Sequence, residues 1–197
     1  LRLAGAGLPA AQLAAQSGSI EPGDRAIGGT GAHLPAGVSL LVRSAGEEVG
    51  DFAHIWRNGV DLASGERGYN LAALDAQGNV LGQATFDTLG AEDASAQMAA
   101  WLDQWPAGTV IAGAVADEAS FRLGQDGVDA LHRLGVATDL RGHFRWSHAF
   151  VGVQGAAPGT ALEATALIQP AQVHIGPALD APRVYGQLNA VTVEAIQ

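Results

Sequence analysis

Residues 109–115, Thr-Val-Ile-Ala-Gly-Ala-Val, form a continuous run of β-branched and small residues without a charge. A run of this kind suits a buried strand, and it sits among segments that read as further strands. Residues 52–57 and 60–62 flank Asn58-Gly59, a dipeptide that supplies the two positive-φ positions of a type I′ turn, so a hairpin is expected. Residues 69–74 and 80–86 form a second hairpin around Asp75-Ala76-Gln77-Gly78-Asn79, with Gly78 able to take the left-handed position. Residues 38–43 and 149–153 are short apolar strands. Residues 162–168 alternate Leu162, Ala164, Ala166 and Ile168 against Glu163, Thr165 and Leu167, as a half-exposed strand does. A last strand is expected within residues 184–196, with Val191 and Val193 on one face.

Two helices interrupt the strands. The first opens at Glu92 or Asp93, repeats Met98, Leu102 and Trp105 at helical spacing beside Trp101, and stops at Pro106. The second runs over about residues 125–134, with Val128, Leu131 and Leu134 on one face and Gly135 as its stop. Strands outnumber helices and several are joined by hairpins. The expected class is therefore α+β and β-rich, with largely antiparallel sheet and two helices packed on it. A doubly wound fold would alternate strand and helix throughout. Residues 1–37 are rich in Gly, Pro, Ala and Ser, with short helical potential at 9–16 and a turn at 21–24. They read as a leader or linker that wraps the surface, and 38–197 as one domain, the whole being a piece of a longer protein.

Composition narrows the function. At 48% apolar and 15% charged residues the chain has ample surface to bury, which excludes general disorder. A formal net charge of -10 repels nucleic acid and anionic membranes. No run approaches the ~18 apolar residues a bilayer span needs. Cysteine is absent, so disulfides, thiol nucleophiles and cysteine-based zinc sites are excluded. All ten basic residues are arginine, which with the alanine and glycine content suggests a GC-rich bacterial genome.

Three blocks place a charge beside an apolar run: Glu66-Arg67-Gly68-Tyr69-Asn70, Ala116-Asp117-Glu118-Ala119-Ser120 and Phe144-Arg145-Trp146-Ser147-His148-Ala149-Phe150. An unpaired charge beside a core is costly, so each calls for a partner or a ligand. Two arginines and an aspartate converging there suit a neutral polyhydroxylated ligand better than a phosphate. Arginine offers a rigid donor fork and aspartate accepts two hydroxyl protons. Trp146 can offer a face to a sugar ring. Asp117 between two arginines is expected to be ionised. The same three residues would also serve as a structural salt-bridge network closing the sheet.

At these blocks the sequence resembles the interleukin-like EMT inducer family, also called PANDER-like or GG domains. The pieces are Ile55-Trp56-Arg57-Asn58-Gly59, Arg67-Gly68-Tyr69-Asn70-Leu71, Leu74-Asp75 through Gly78, Phe86-Asp87-Thr88, Pro106-Ala107-Gly108-Thr109, Asp117-Glu118-Ala119-Ser120, Leu134-Gly135 and the block 144–153. They occur in the family's order over roughly residues 38–155. The resemblance implies two curved, facing antiparallel sheets with flanking helices. It also implies kinship with secreted cytokine-like proteins, with modules of cell-surface hyaluronan-processing proteins, and with the stem module of the protein O-mannose N-acetylglucosaminyltransferase. That stem module binds carbohydrate through an arginine, an aspartate and an arginine that line up with Arg67, Asp117 and Arg145. The chain departs from the animal members by lacking their cysteines, and by carrying Trp146 and His148 where the motif often has Asp and Trp.

The resulting expectation is a non-catalytic, extracytoplasmic carbohydrate-binding module of a larger envelope or surface protein. Its ligand residues are Arg67, Asp117, Arg145 and Trp146. Its partners are a glycan, with N-acetylhexosamine chains as candidates, and other domains of the parent protein. No metal or cofactor is expected. The alternative is a protein-interaction or spacer domain with no small ligand. Glu118 next to Asp117 faces the other side of a strand, so a paired-carboxylate hydrolase is disfavoured and Glu118 reads as a cap or a solvated side chain. His143 and His148 lack a third ligand at useful spacing. No Gly-x-Ser-x-Gly elbow or phosphate-binding lysine loop is present.

Overall fold

In the computed structural model, residues 25–176 are described. The expected helical stretch at 9–16, the turn at 21–24 and the strand within 184–196 lie outside them. Nine strands follow one another as β1 (Leu40–Gly46), β2 (Phe52–Arg57), β3 (Val60–Asp61), β4 (Gly68–Leu74), β5 (Val80–Phe86), β6 (Val110–Asp117), β7 (Ser147–Val153), β8 (Leu162–Ala166) and β9 (Ala171–Ile175). Helix α1 (Ala94–Asp103) precedes β6 and α2 (Gln125–His132) follows it. The described residues are thus β-rich with two helices, as the patterning indicates. Both hairpins form, and Asn58 and Gly59 have φ of 48° and 82°. β9 is not among the expected strands: it is five residues long, follows Pro170 and, among the described strands, pairs with β1 alone.

All nine strands belong to one open, mixed sheet with two arms. β1 is flanked by β2 and β9, and β6 by β4 and β7, all antiparallel. The arms join where the last residues of β1 run parallel to the end of β6, Ala45 against Ala116 and Gly46 against Asp117. β7 pairs with β6 only as far as Ala114. Ser44 fills the seam beyond that point. Its hydroxyl donates to the Val115 carbonyl at 2.5 Å and accepts the His148 N–H at 2.8 Å. Backbone groups that lose a ladder partner in a buried place need such a substitute.

Strand alternation sorts the core into two layers. Leu40, Val42, Ile55, Leu74, Ala112, Val151 and Val173 fill the space between the arms. Tyr69, Leu71, Ile111, Val115 and Phe150 project from the other face of the β6 arm onto Met98, Leu102, Val128 and Leu131 of the helices. Residues 25–37 contribute to the first layer, with Ile27 and Leu34 buried there and a short bridge between Ala26 and His33. Trp101 and Trp105 meet edge to face at 5.4 Å and pack on the helix-side core.

Candidate functional site

β6 ends at Asp117, whose backbone turns into the left-handed region with φ 57°. That conformation costs a non-glycine residue energy, least so for Asp and Asn. Its carboxylate makes no hydrogen bond or ion pair with any described residue. Burial raises its pKa above the ordinary aspartate value, with Asp51 and Glu47 adding to the effect and Arg67 and Arg145 opposing it. The two arginines expected to favour the ionised form do so, but they are not the largest influence on Asp117. Desolvation and the acidic neighbours outweigh them, because neither guanidinium closes to ion-pair distance of Asp117.

Arg67 stands one residue before β4. Its Nε and Nη2 donate to the two carboxylate oxygens of Asp87 at 3.0 and 2.7 Å. This bidentate contact lowers the Asp87 pKa and raises that of Arg67. Asp87 also accepts the N–H groups of Leu89 and Gly90, which helps to fix the carboxylate that the arginine meets. Gly68 makes the approach possible. Its φ is 95°, and a Cβ there would fall 2.0 Å from the Phe86 carbonyl oxygen.

Arg145 precedes β7 with φ 61°. Its Nη1 donates to Glu48 at 2.5 Å and its Nη2 pairs with Glu47. Its guanidinium also lies 4.9 Å from the Phe144 ring centroid. The hydrogen bond to Glu48, with the charges of Glu47, Glu48 and Asp117, raises its pKa. The loop itself is held by Glu118, a fully buried side chain. One carboxylate oxygen accepts the N–H groups of Ser120 and Phe121, and the other accepts the N–H of Arg145. Glu118 is a cap, one of the two roles its sequence position suggested.

Arg67, Asp117 and Arg145 thus lie at one end of the sheet, where each arginine acts electrostatically on Asp117. They do not form a direct Arg–Asp–Arg salt bridge; Arg67 pairs with Asp87, and Arg145 with Glu47 and Glu48. Three of the four positive-φ non-glycine residues among those described, Asp51, Asp117 and Arg145, belong to this end. The fourth, Asn58, is in the β2–β3 turn.

Trp146 is half-buried, packs on the helix-side core and meets His143 with ring centroids 4.3 Å apart and the planes tilted by 53°. The exposed ring of this block is Phe144, at 51%, and Phe121 on the adjoining loop is 67% exposed. Sequence reading missed both, and the only signal was their place beside Arg145 and Glu118. His148 is buried, with Nδ1 3.4 Å from the Tyr69 hydroxyl and Nε2 2.9 Å from Glu163. Among the described residues no group of His, Asp and Glu is arranged to hold a metal ion.

Residues 67–156 match the family model of the interleukin-like EMT inducer. The match opens on Arg67, ends just past β7, and contains Asp117, Arg145 and both helices. It is narrower than the expected 38–155, leaving β1, β2 and β3 outside. No curated protein matches the chain.

Proposed function

Because the chain carries an interleukin-like EMT inducer domain at residues 67–156, we propose that it is a non-catalytic carbohydrate-recognition module. In this reading it works outside the cytoplasm as part of a longer surface or envelope protein. Its ligand is a neutral glycan, with N-acetylhexosamine chains as first candidates. The observation that carries the reading is the Asp117 carboxylate. It is partly desolvated, has no partner within the described protein, and stands in left-handed backbone within the electrostatic reach of two guanidiniums that other acids hold still. An acceptor kept unpaired between fixed donors is poised for hydroxyls, and strained backbone is retained where function needs it. Arg67 keeps its Nη1 group for such a ligand, since Asp87 takes only Nε and Nη2.

Calorimetric titration with neutral β-linked N-acetylhexosamine oligosaccharides tests this. The expected result is saturable binding that Asp117→Ala abolishes. Binding that survives that change would move the site elsewhere. A second reading, a protein-interaction surface, is favoured by the exposure of Phe121, Phe144, Leu167 and Ile168. Ser147 draws the Leu167–Ile168 turn toward Arg145 by donating to the Gln169 carbonyl at 3.0 Å. Exposed apolar groups gathered at one end of a domain mark contact sites. This reading expects no oligosaccharide binding at all.

A further inference from the structure

We infer that Phe144 is the stacking surface of this site and that Phe121 forms a second apolar wall beside it. The inference rests on the carbohydrate reading and assigns the aromatic role that Trp146 was expected to fill. A ring that binds a sugar must show a face to solvent and stand beside the polar groups that grip hydroxyls. Trp146 meets the first condition only in part, because it is half-buried on the helix-side core and against His143. Phe144 meets both. It is 51% exposed, and the Arg145 guanidinium lies over its ring at 4.9 Å.

That guanidinium is itself held by Glu47 and Glu48. The cation–π contact therefore fixes Phe144 from one side, while the exposed part of the ring stays available to a ligand. Phe121 reaches the same place through Glu118, whose two carboxylate oxygens accept the N–H groups of Phe121 and Arg145. One buried carboxylate thus sets both aromatic loops side by side. An occupant must offer a C–H face to the rings and hydroxyls to Asp117 and the arginines. A pyranose has both on adjoining sides of one small molecule.

The test uses N,N′-diacetylchitobiose and longer β-linked N-acetylhexosamine oligomers, read by titration and by saturation-transfer NMR. The wild type is expected to transfer saturation from its aromatic protons to the sugar ring C–H protons. Phe144→Ala is expected to weaken binding about tenfold, which is about 1.4 kcal/mol, with an unchanged circular dichroism spectrum. Phe144→Tyr is expected to restore binding, which a merely structural role of this exposed side chain does not require. Phe121→Ala is expected to weaken binding less. Binding that needs Asp117 but is unchanged in Phe144→Ala overturns this inference and leaves the carbohydrate reading standing. No saccharide binding, or binding indifferent to Asp117, overturns both. Self-association that Phe144→Ala abolishes, without saccharide binding, assigns the rings to a second copy of the chain and also overturns the inference.

Discussion

The buried carboxylate of Glu118 accepts the backbone N–H of Arg145, 27 residues further along the chain. The neighbouring side chain, Asp117, has no such partner. Two adjacent carboxylates therefore divide the work. Glu118 builds the end of the sheet by satisfying N–H groups of Ser120, Phe121 and Arg145, and the half-buried Asp117 carboxylate makes no hydrogen bond or ion pair with a described residue.

Glu118→Ala is expected to cost about 2–4 kcal/mol, because it strands backbone donors that a buried acceptor satisfies. Urea denaturation measures the loss. Glu118→Gln, with a single acceptor oxygen, is expected to fall between the two. A loss under about 0.5 kcal/mol for the alanine variant would show that water replaces the cap without difficulty.

Asp117→Asn is expected to raise the melting temperature slightly at pH 7 while removing saccharide binding. The sign follows from the raised pKa, whose largest cause is burial. Folding disfavours the ionised form, so the destabilisation is present above the folded pKa and vanishes below the unfolded one. The gain should therefore disappear near pH 3, in melts compared at the two pH values. Asparagine tolerates the left-handed backbone as aspartate does, so the substitution isolates the charge.

Glu163 gives the opposite pH dependence. Burial pushes its pKa up, but the hydrogen bonds from His148 and the Ala137 and Thr138 N–H groups outweigh it and bring the value down to about 2 from 4.5. A depressed carboxylate contributes stability that is complete above the unfolded pKa and is lost as pH falls through the folded one. The window is therefore about pH 4.5 down to 2, with a contribution of at most about 3 kcal/mol. Glu163→Gln should flatten the acid limb of a stability–pH curve across that window. A wild-type curve already flat there would refute the assignment.

Gly68→Ala is expected to destabilise by about 2–4 kcal/mol. The new Cβ would meet the Phe86 carbonyl 2.0 Å away at a φ of 95°, and neither backbone can yield without breaking the β4–β5 ladder. The same shift would move Arg67 off Asp87. The amide signals of Leu89 and Gly90, which report the Asp87 cap, should change along with the melting temperature.

Much of the fold is legible because its signals are local. Asn58-Gly59 and the Asp75–Asn79 turn specify their hairpins through the backbone geometry of a few residues. Met98 and Leu102, and Val128 and Leu131, mark helix faces by spacing alone. The seam between the two arms is a different matter. It depends on Ser44 meeting Val115 and His148, 71 and 104 residues away, and nothing in the neighbourhood of Ser44 announces that contact.

The candidate site divides along the same line. The sequence alone determined the β-rich class, the two hairpins, the helices and the resemblance to the interleukin-like EMT inducer family. It also marked Arg67, Asp117 and Arg145 as charges in need of explanation. Tertiary structure decided which acid holds each arginine, that Glu118 is a buried cap, and that Phe144 rather than Trp146 is exposed. Periodicity fixes which side of an element a residue takes, since that depends on its own backbone. Ion pairs, caps and exposure depend on distances of a few ångströms between loops, and those exist only once the two arms and the helices have packed on their core.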